Sequence, residues 1–313
     1  MFDLIIIGAS AAGCSAAVYA ARRELNFKIV TDNIGGEVAL SGEVGNWPGI
    51  INIQGFELAQ KFAEQIKSYN VPIDEGFKVT KIEKTANYFT VFAQNATNET
   101  KSYETKTVIV ATGIHPRQLG VPGEKNFFHQ GVTYCTVCDG PLFRGKTTVT
   151  IGSGNAALES ALMMGQLAKK VYLLSKYPNT QEQNGGFPKG ENILIDKVKE
   201  LKNVEILYEA TTTAIVGDKK VTALKYKNTQ GEEKEIIVDG VMVHIGMTPN
   251  SELVDVAKDK IGQIIVDAKC QTSVSGIFAA GDVGNLPYKQ IAIAAGQGVI
   301  ASLAAIEYVN RWK

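Results

Sequence analysis

The sequence predicts an α/β protein built from two Rossmann-like nucleotide-binding halves, each with a β-meander. Three observations support this prediction. An apolar strand, a glycine turn and a helix follow one another at residues 2–21, the same order returns at 147–169, and segments of alternating polarity follow each copy. Strands buried on both faces are typical of parallel sheets, and a glycine turn before a helix is typical of dinucleotide binding. The repetition argues against a chance glycine turn.

The composition predicts about two domains and excludes several classes of protein. The chain has 313 residues, with 32 Lys and Arg balancing 32 Asp and Glu. Without net charge, neither nucleic acid nor an anionic membrane surface is expected as the main partner. The N-terminal apolar run has no basic leader, and the apolar stretch at 291–305 is interrupted by glycine and polar residues. We therefore expect a cytoplasmic protein without membrane spans.

The first half opens with the strand Phe2–Ile7 and the turn Gly8-Ala-Ser-Ala-Ala-Gly13. In this context backbone amides and a helix N-terminus can face a pyrophosphate. Ser10 stands where the dinucleotide fingerprint has its second glycine, so the match is imperfect. The next strand, Phe27–Thr31, ends at Asp32, which is placed to accept hydrogen bonds from ribose hydroxyls.

A glycine-rich stretch follows, with Gly35-Gly36-Glu37 and then Gly45-Asn46-Trp-Pro-Gly49. It suits wrapping around a flat ring system, although a surface loop with a packed tryptophan is the alternative. An amphipathic helix is expected at 54–69 and a β-meander at 77–94, closed by a buried strand at 107–112.

The second copy is closer to the dinucleotide fingerprint. The strand Thr147–Ile151 leads into Gly152-Ser-Gly-Asn-Ala-Ala157, and a helix is expected at 158–169. A strand at 171–174 follows, and a second meander is expected to comprise 204–208, 213–216 and 221–227, closed by 241–246.

Between the two halves lies a C-x-x-C with an acid attached, Cys135-Thr-Val-Cys138-Asp139. Two thiols at this spacing can close a disulfide and store two electrons, and Asp139 could hand a proton to a departing thiolate. Half of a zinc site and a structural disulfide are the alternatives. Zinc usually takes four Cys or His ligands, and the sequence offers no second close pair, so no metal site is predicted.

The last segment returns to the first half. Gly281-Asp282 ends an apolar strand, and Asp282 could bond a ribityl chain or simply cap a turn. The helix that starts near Gln290 could face a flavin carbonyl. A Pro- and Gly-rich segment at 114–123 and a second crossing near 247–250 separate the halves. We predict a discontinuous domain of residues 1–115 and 247–313 and an inserted domain of residues 116–246.

The sequence resembles, end to end, the low-molecular-weight thioredoxin reductases and the flavoprotein of the alkyl hydroperoxide reductase system. That flavoprotein also has an N-terminal thioredoxin-like domain, which is not expected here because Gly8 begins the flavin site. The motifs that carry the resemblance are Asn46-Trp-Pro-Gly49, Ala111-Thr-Gly113, Gly131-Val-Thr-Tyr-Cys-Thr-Val-Cys-Asp-Gly140, Gly152-Ser-Gly-Asn155, Gly246-Met-Thr-Pro-Asn250 and Ile277-Phe-Ala-Ala-Gly-Asp282.

The resemblance implies the pyridine nucleotide-disulfide oxidoreductase fold, with FAD in the discontinuous domain and a nicotinamide coenzyme in the inserted one. Electrons would pass from coenzyme to flavin and then to the Cys135–Cys138 disulfide. Cys138 would face the flavin, Cys135 would attack the disulfide of a thioredoxin-like partner, and Asp139 would supply the proton. A homodimer is expected, as is rotation of the inserted domain between the two reactions.

These expectations name specific binding residues. Those predicted to bind FAD are Gly8, Ser10, Ala11, Gly13, Asp32, Gly36, Glu37, Asn46, Thr112, Gly113, Gly281, Asp282, Lys289, Gln290 and Ile291. Those predicted to bind the coenzyme are Gly152, Gly154, Asn155, Ala156, Ser175, Lys176 and Gly246.

The coenzyme half departs from the family pattern. NADPH-dependent thioredoxin reductases resemble one another in a His-Arg-Arg run after the strand equivalent to 171–174, because a 2′-phosphate needs positive donors. Here the run is Ser175-Lys-Tyr-Pro-Asn179, so NADH or weak selectivity is expected. The unusual loop at 179–192 could reshape or block the site.

Three functions remain open from the sequence. The favoured one is an FAD-dependent thioredoxin-disulfide reductase fed by NAD(P)H. The second keeps the disulfide chemistry but takes electrons from a donor such as ferredoxin, or acts as a stand-alone alkyl hydroperoxide reductase flavoprotein component. The third is a flavin-binding redox sensor with little turnover. Cys14 and Cys270 are expected to be packing residues.

Overall fold

Residues Met1–His115 and Thr248–Lys313 form one unit of the fold, unit 1, and Pro116–Met247 form a second, unit 2. The computed structural model describes residues 1–41 and 43–312, without the side chains of Glu43 and Cys138. The chain passes from one unit to the other within two short strands, Ile114–Pro116 and Met247–Pro249.

In both units a glycine turn joins a strand to a helix, as the apolar patterns predict, and a run of consecutive strands comes later. The part before the first crossing contains β1 (Phe2–Ala9), α1 (Ala11–Ala21), β2 (Phe27–Ile34), α2 (Gly36–Ala39), β3 (Glu43–Val44), β4 (Ile53–Gln54), α3 (Gly55–Ser68), β5 (Ile73–Glu75), β6 (Phe77–Lys84), β7 (Phe89–Asn95), β8 (Thr100–Val110) and β9 (Ile114–Pro116). The middle part contains β10 (Val132–Thr133), α4 (Thr136–Asp139), a 3₁₀ turn (Gly140–Phe143), β11 (Thr147–Ile151), α5 (Asn155–Leu167), β12 (Lys170–Leu174), α6 (Asn192–Glu200), β13 (Val204–Leu207), β14 (Thr211–Gly217), β15 (Val221–Lys227), β16 (Glu233–Ile237) and β17 (Gly240–Val243). The last part contains β18 (Met247–Pro249), β19 (Ile277–Ala279) and α7 (Ile291–Arg311).

The main sheet of unit 1 has the strand order β5-β2-β1-β8-β7-β6, with β19 also paired to β8. β1 lies parallel to both neighbours, so that Leu4 pairs with Phe27 on one side and Thr107 on the other. Leu4, Ile5 and Ile6 are completely buried. A central strand covered on both faces loses its solvent-facing positions, which explains its continuous apolar run.

One strand, β8, joins the parallel and antiparallel parts of this sheet. From Thr100 to Thr105 it pairs antiparallel with β7, and from Val108 to Val110 it pairs parallel with β19. The predicted meander and the predicted closing strand at 107–112 are therefore one continuous sheet, and the closing strand is the second half of β8. Its last residues lead to the carboxyl edge of the parallel part, where Rossmann-type folds bind their ligands.

Helices α1 and α7 pack closely in unit 1 because both are rich in small residues. A Cβ atom added at Gly298 of α7 would lie 2.0 Å from the backbone oxygen of Ala12. Helix α7 has 21 residues and, by length and composition alone, is apolar enough to cross a membrane. The expectation that no apolar segment reaches that length was therefore wrong. In this structure Ala301, Ser302 and Ala305 of the helix are fully buried in unit 1.

The main sheet of unit 2 is parallel and has the order β10-β17-β11-β12-β13. β13, predicted as part of the second meander, instead pairs parallel with β12 at the edge of this sheet. The meander consists of β14, β15 and β16. β16 and α6 were not predicted. β16 reads Glu-Lys-Glu-Ile-Ile, in which polar and apolar residues do not alternate, and α6 follows a loop-like stretch.

We expect Gly298→Ala to lower the free energy of unfolding by about 3 kcal/mol, because the new methyl group would overlap a backbone oxygen that cannot move without separating the two helices. Urea unfolding monitored by circular dichroism would measure the change. Gly296→Ala is the matched control, since a Cβ atom there meets nothing within 4 Å, and it should stabilise the helix by about 0.5–1 kcal/mol. Equal stabilities for the two variants would contradict the close helix contact.

Candidate active site

The glycine turn of unit 1 brings three backbone segments together at the edge of the sheet. Gly8 has φ +101°, and a Cβ atom there would lie 2.4 Å from Ala111 O. A Cβ atom at Gly13 would lie 1.9 Å from Gly8 O. The Ser10 hydroxyl donates to Gly35 O at 2.6 Å instead of capping α1. No side chain caps the first amides of α1, and the turn before them requires glycine at positions 8 and 13, which suits a pyrophosphate.

The Gly281-Asp282 turn lies against the start of α1. A Cβ atom at Gly281 would lie 3.0 Å from the Cβ of Ala12, and Gly281 N donates to Gln297 Oε1 at 2.9 Å. Gly36 is a further neighbour of this region, since its added Cβ would lie 3.3 Å from the Cβ of Ser10. Segments far apart in sequence therefore meet here.

Acidic groups converge on the same edge. Burial raises the pKa of Asp282, and the nearby Lys289 opposes this rise. The pKa of Glu37 is raised by partial desolvation, although the residue is exposed, with Asp282 adding to the rise and His115 opposing it. Burial lowers the pKa of Lys289, whose ammonium donates to Gly284 O. The carboxylates are thus partly dehydrated, and a ligand with hydroxyl donors would stabilise them.

Other predicted FAD residues, Asn46, Gln290 and Asp32, lie outside the glycine turns. Asn46 Nδ2 donates to Gln290 Oε1 at 3.0 Å, which joins the tryptophan loop to the start of α7. Asp32 lies exposed inside β2, which continues to Ile34, so the prediction that this strand ends at Asp32 was wrong by two residues.

Two predicted FAD residues, Thr112 and Gly113, are bonded to Asn250. The Thr112 hydroxyl donates to Asn250 O at 2.6 Å, and Asn250 Nδ2 donates to Thr112 O at 2.8 Å. Asn250 N donates to Gly113 O at 3.0 Å. Ala11 lies buried in the first turn of α1, and Ile291 begins α7.

The C-x-x-C of unit 2 lies at the start of the short helix α4. Cys135 is disulfide-bonded, and Asp139 N donates to its backbone oxygen at 3.1 Å. The predicted role of Cys138 rests on a side chain outside the described residues. The Thr133 hydroxyl donates to Asp139 Oδ2 at 2.5 Å and accepts from Cys135 N at 3.0 Å. Thr133 therefore fixes the carboxylate relative to the redox cysteine.

A chain of hydroxyls lies behind this helix. Thr136, which is buried, has its Oγ1 2.6 Å from Ser160 Oγ and 2.7 Å from His244 Nε2, and Ser160 Oγ is 3.2 Å from Thr150 Oγ1. Burial lowers the pKa of His244 to about 4. The imidazole is therefore neutral near pH 7 and ties the residue between the two cysteines to the end of β17.

A buried carboxylate supports the other side of the motif. Glu124 is 1% exposed and accepts hydrogen bonds from Leu119 N, Gly120 N and the Tyr134 hydroxyl, all at 2.7–2.8 Å. The pKa of Tyr134 is raised, first by burial and then by this carboxylate. Sequence analysis missed the roles of Thr133, Glu124 and His244. Thr133 stands in the motif around Cys135, but its bond to Asp139 is visible only in the fold. Glu124 and His244 are ordinary polar residues until the fold bonds them to Tyr134 and Thr136.

Several of the predicted coenzyme residues of unit 2 are already bonded within the chain. Gly152 lies between the end of β17 and the first turn of α5, since a Cβ atom there would be 2.2 Å from His244 O and 2.8 Å from the Cβ of Ala157. Ser175 is completely buried, whereas Lys176 and Ala156 are exposed. Gly246 O accepts from Arg117 N at 2.9 Å. Gly154 and Asn155 contact residues 189–191 of the following loop.

The two remaining cysteines, Cys14 and Cys270, take no part in the disulfide chemistry. Cys14 and Cys270 are free and buried, and burial raises their pKa to about 12 and about 11. They are therefore neutral thiols in the core at physiological pH.

Residues 2–298 match the family model described as pyridine nucleotide-disulphide oxidoreductase. The chain belongs to this family. The two glycine turns, the parallel sheets and the disulfide-bonded Cys135 agree with that membership. At the level of the family, membership implies use of a flavin and of a pyridine nucleotide, and it makes the chain a flavin-dependent disulfide oxidoreductase.

Among curated proteins, this family member is 36% identical to the F subunit of alkyl hydroperoxide reductase from Escherichia coli (strain K12) over 316 residues. The match covers 100% of this chain and 59% of that relative. The chain thus spans about three fifths of the length of the curated relatives it matches.

Solved structures of the family are similar over almost the whole chain. Thioredoxin reductase from Streptococcus pyogenes MGAS5005 has a TM-score of 0.81 at 35% identity, covering 99% of this chain and 98% of that one. Thioredoxin reductase from T. acidophilum has a TM-score of 0.69 at 40% identity, with the same coverage. A ferredoxin-flavin thioredoxin reductase from Clostridium acetobutylicum has a TM-score of 0.52 at 30% identity, again covering 99% and 98%. The resemblance and the fold class predicted from the sequence are confirmed.

The buried His244 predicts a specific loss of stability in acid. Its folded pKa of about 4 lies below the unfolded value of about 6.5, so the unfolded state binds the proton first as the pH falls. We expect the free energy of unfolding to lose about 1–3 kcal/mol between pH 6.5 and 4 through this residue.

His244→Gln should flatten the pH dependence, because an amide can still bond Thr136 but does not titrate. Urea unfolding from pH 7 to 4.5 would measure it, with His129→Asn, an exposed histidine of the same unit, as the control. Parallel profiles for wild type and His244→Gln would show that His244 is not buried as a neutral group.

Proposed function

We propose that this protein is an FAD-dependent reductase that passes two electrons through the Cys135–Cys138 disulfide to the disulfide of a thioredoxin-like protein. The observation that carries the proposal is a disulfide-bonded Cys135 whose backbone amide shares the Thr133 hydroxyl with the Asp139 carboxylate. A structural disulfide has no need of an acid held in this way. Similarity to thioredoxin reductases along the chain supports the same activity.

Unit 1 fits FAD as the flavin. The turn from Gly8 to Gly13 leads into a helix N-terminus without a side-chain cap, which suits a pyrophosphate, and Asp282, partly dehydrated beside the start of α1, offers an acceptor for hydroxyl groups. The link between Asn46 and Gln290 closes one side of this region. When bound, FAD would accept electrons from the donor and release them as a pair to the disulfide.

Thiol–disulfide exchange follows from the dithiol form. The Cys135 thiolate attacks one sulfur of the partner disulfide, which breaks the S–S bond, forms a mixed disulfide and releases a thiolate. The Cys138 thiolate then attacks the Cys135 sulfur and releases the second thiolate of the partner. The enzyme regains its disulfide, the partner gains two thiols, and Asp139 holds the proton that one departing thiolate takes up.

The surface beside Cys135 supports a protein as the electron acceptor. Val137, between the two cysteines, is 75% exposed, and Leu142, after the motif, is 69% exposed. Pro141 next to it is exposed as well. Apolar side chains around a disulfide suit a protein surface better than a small polar disulfide.

The electron donor has two candidates. The family implies a pyridine nucleotide, and the absence of a His-Arg-Arg run after β12 favours NADH over NADPH among the two. A reduced ferredoxin is the second candidate, supported by the similarity to a ferredoxin-flavin thioredoxin reductase. A role as a flavoprotein component of a hydroperoxide-reducing system rests on the similarity to alkyl hydroperoxide reductase.

We also propose a cytoplasmic homodimer. A C-x-x-C that must be reduced in each cycle suits the reducing cytoplasm. Dimerisation rests on the resemblance to thioredoxin reductases, and size-exclusion chromatography with light scattering would test it.

Asp139→Asn should lower the rate of partner reduction by about 100-fold, because the departing thiolate loses its proton donor. Cys135→Ser should abolish the reaction. The measurement is the appearance of free thiols in a thioredoxin after anaerobic mixing with dithionite-reduced, FAD-loaded enzyme. Asp218→Asn, an exposed carboxylate in a hairpin of unit 2, is the control and should retain the wild-type rate. Full activity of Cys135→Ser would reject the mechanism.

Asp282→Ala should weaken FAD binding by about 10-fold, because one charged hydrogen-bond acceptor is lost from a partly buried site. Flavin fluorescence during titration of the apoprotein would measure the dissociation constant. Asp255→Ala changes an exposed carboxylate of the same unit and should leave the constant unchanged. Equal affinities for the two variants would place the flavin elsewhere.

A further inference from the structure

Unit 2 has the architecture of a dinucleotide-binding half, with the crevice at the carboxyl ends of β11 and β12. In such folds the pyrophosphate lies over the glycine turn at the start of the following helix, here α5, and a ribose lies at the end of the second strand, here at Ser175. Both positions must be open for NADH or NADPH to bind. In this chain, the segment after β12, residues 176–191, occupies both.

The Ser175 hydroxyl at the end of β12 has no hydrogen-bonding position left for a ribose. Ser175 is 0% exposed, and its hydroxyl donates to Gly186 O at 2.5 Å. Its oxygen also accepts from Tyr177 N at 3.2 Å and lies 3.1 Å from Ser153 Oγ. A serine hydroxyl has one donor and two acceptor positions. Each is used, and all three partners belong to the chain.

The start of α5 is covered in the same way. Lys189 forms a parallel β-bridge with Gly154, the residue before the helix. The Asn155 side chain donates to Glu191 Oε1 at 2.9 Å and accepts from Glu191 N at 2.8 Å. A carboxylate therefore lies beside the helix N-terminus that would hold the pyrophosphate. Its negative charge opposes the binding of a second anion there.

The segment is built into the unit. Phe187 is completely buried, belongs to the core cluster of Ala157 and Leu158, and packs at 6.1 Å between ring centroids against Tyr208. Asn184 donates to Phe187 O at 3.2 Å and to Gly190 O at 2.7 Å. A buried aromatic ring and a side chain that bonds two carbonyls hold the segment over the crevice, so a ligand must displace packed structure to enter.

We propose that residues 176–191 form a built-in plug of the dinucleotide crevice, so that unit 2 binds neither NADH nor NADPH and serves as the carrier of the redox disulfide. The inference deepens the proposed function and rests on it. A one-electron carrier protein of low potential, the second donor candidate above, would then have to supply the electrons for any flavin held by unit 1. Two carrier molecules deliver one electron each, and two protons from solvent complete the conversion of the disulfide to a dithiol.

The test uses FAD-loaded, full-length protein under anaerobic conditions. Equilibrium dialysis with NADH and with NADPH measures binding, and absorbance at the oxidised flavin band measures reduction. We expect no saturable binding of either coenzyme up to about 1 mM, the upper end of ordinary coenzyme KM values, and no bleaching of the flavin. Binding at micromolar concentration by the wild type would overturn the proposal.

Opening the plug should restore affinity. In one variant four glycines replace residues 180–189, and in a milder one, Asn184→Ala, the segment loses the two carbonyl bonds of Asn184 and keeps its buried ring. We expect at least a tenfold gain in NADH binding for the first variant and a smaller gain for the second. Asn228→Ala, which removes a comparable turn-fixing side chain from the β15–β16 hairpin, should show no gain. Folded variants that gain nothing would show that the segment is not the cause.

A separate measurement distinguishes this inference from the proposed function. Dithionite reduces the flavin without a coenzyme, and thiols should then appear in an added thioredoxin. If they do not appear, the proposed disulfide reduction fails whatever the coenzyme result. If they appear while the wild type also binds NADH tightly, the proposed function stands and the plug is rejected.

Discussion

Close approach of backbone to backbone, at the carboxyl ends of the parallel strands and between α1 and α7, is the constraint on which the rest of the structure depends. In unit 1, Gly8, Gly13 and Gly298 each lie where a Cβ atom would overlap a backbone oxygen. In unit 2, Gly152 has the same relation to His244 O. A larger residue at Gly298 would separate α7 from α1, and one at Gly8, Gly13 or Gly152 would distort the turn that a dinucleotide needs.

The redox motif depends on a different kind of constraint, a set of buried polar groups that satisfy one another. Thr133 forms hydrogen bonds with both Cys135 and Asp139, and Thr136 links α4 by hydrogen bonds to Ser160 and His244. Glu124 accepts a hydrogen bond from the hydroxyl of Tyr134. Each group would be costly to bury without its partner. The short α4, only four residues long, is therefore held by its side chains more than by its own backbone hydrogen bonds.

The two units share a Rossmann-like architecture but differ in what surrounds the glycine turn. In unit 1 the turn at the start of α1 remains free of side-chain caps, and acidic groups lie partly dehydrated beside it. In unit 2 the equivalent turn is covered by Lys189 and Glu191, and Ser175 bonds Gly186. A Rossmann-like fold therefore indicates where a dinucleotide would bind, whereas the loops at the sheet edge decide whether it can.

The sequence by itself determined the α/β class, the repeated strand-turn-helix order and the redox motif, because apolar runs, glycine turns and C-x-x-C spacing are local patterns. It also pointed to the loop at 179–192 as unusual. The place of β13 in the parallel sheet, the contacts of Thr133, Glu124 and His244, and the bonds that use up the Ser175 hydroxyl were decided only by the tertiary structure. They join residues 2 to 108 positions apart or depend on which sheet edge a strand meets, and no periodicity in the chain records which of these residues come together.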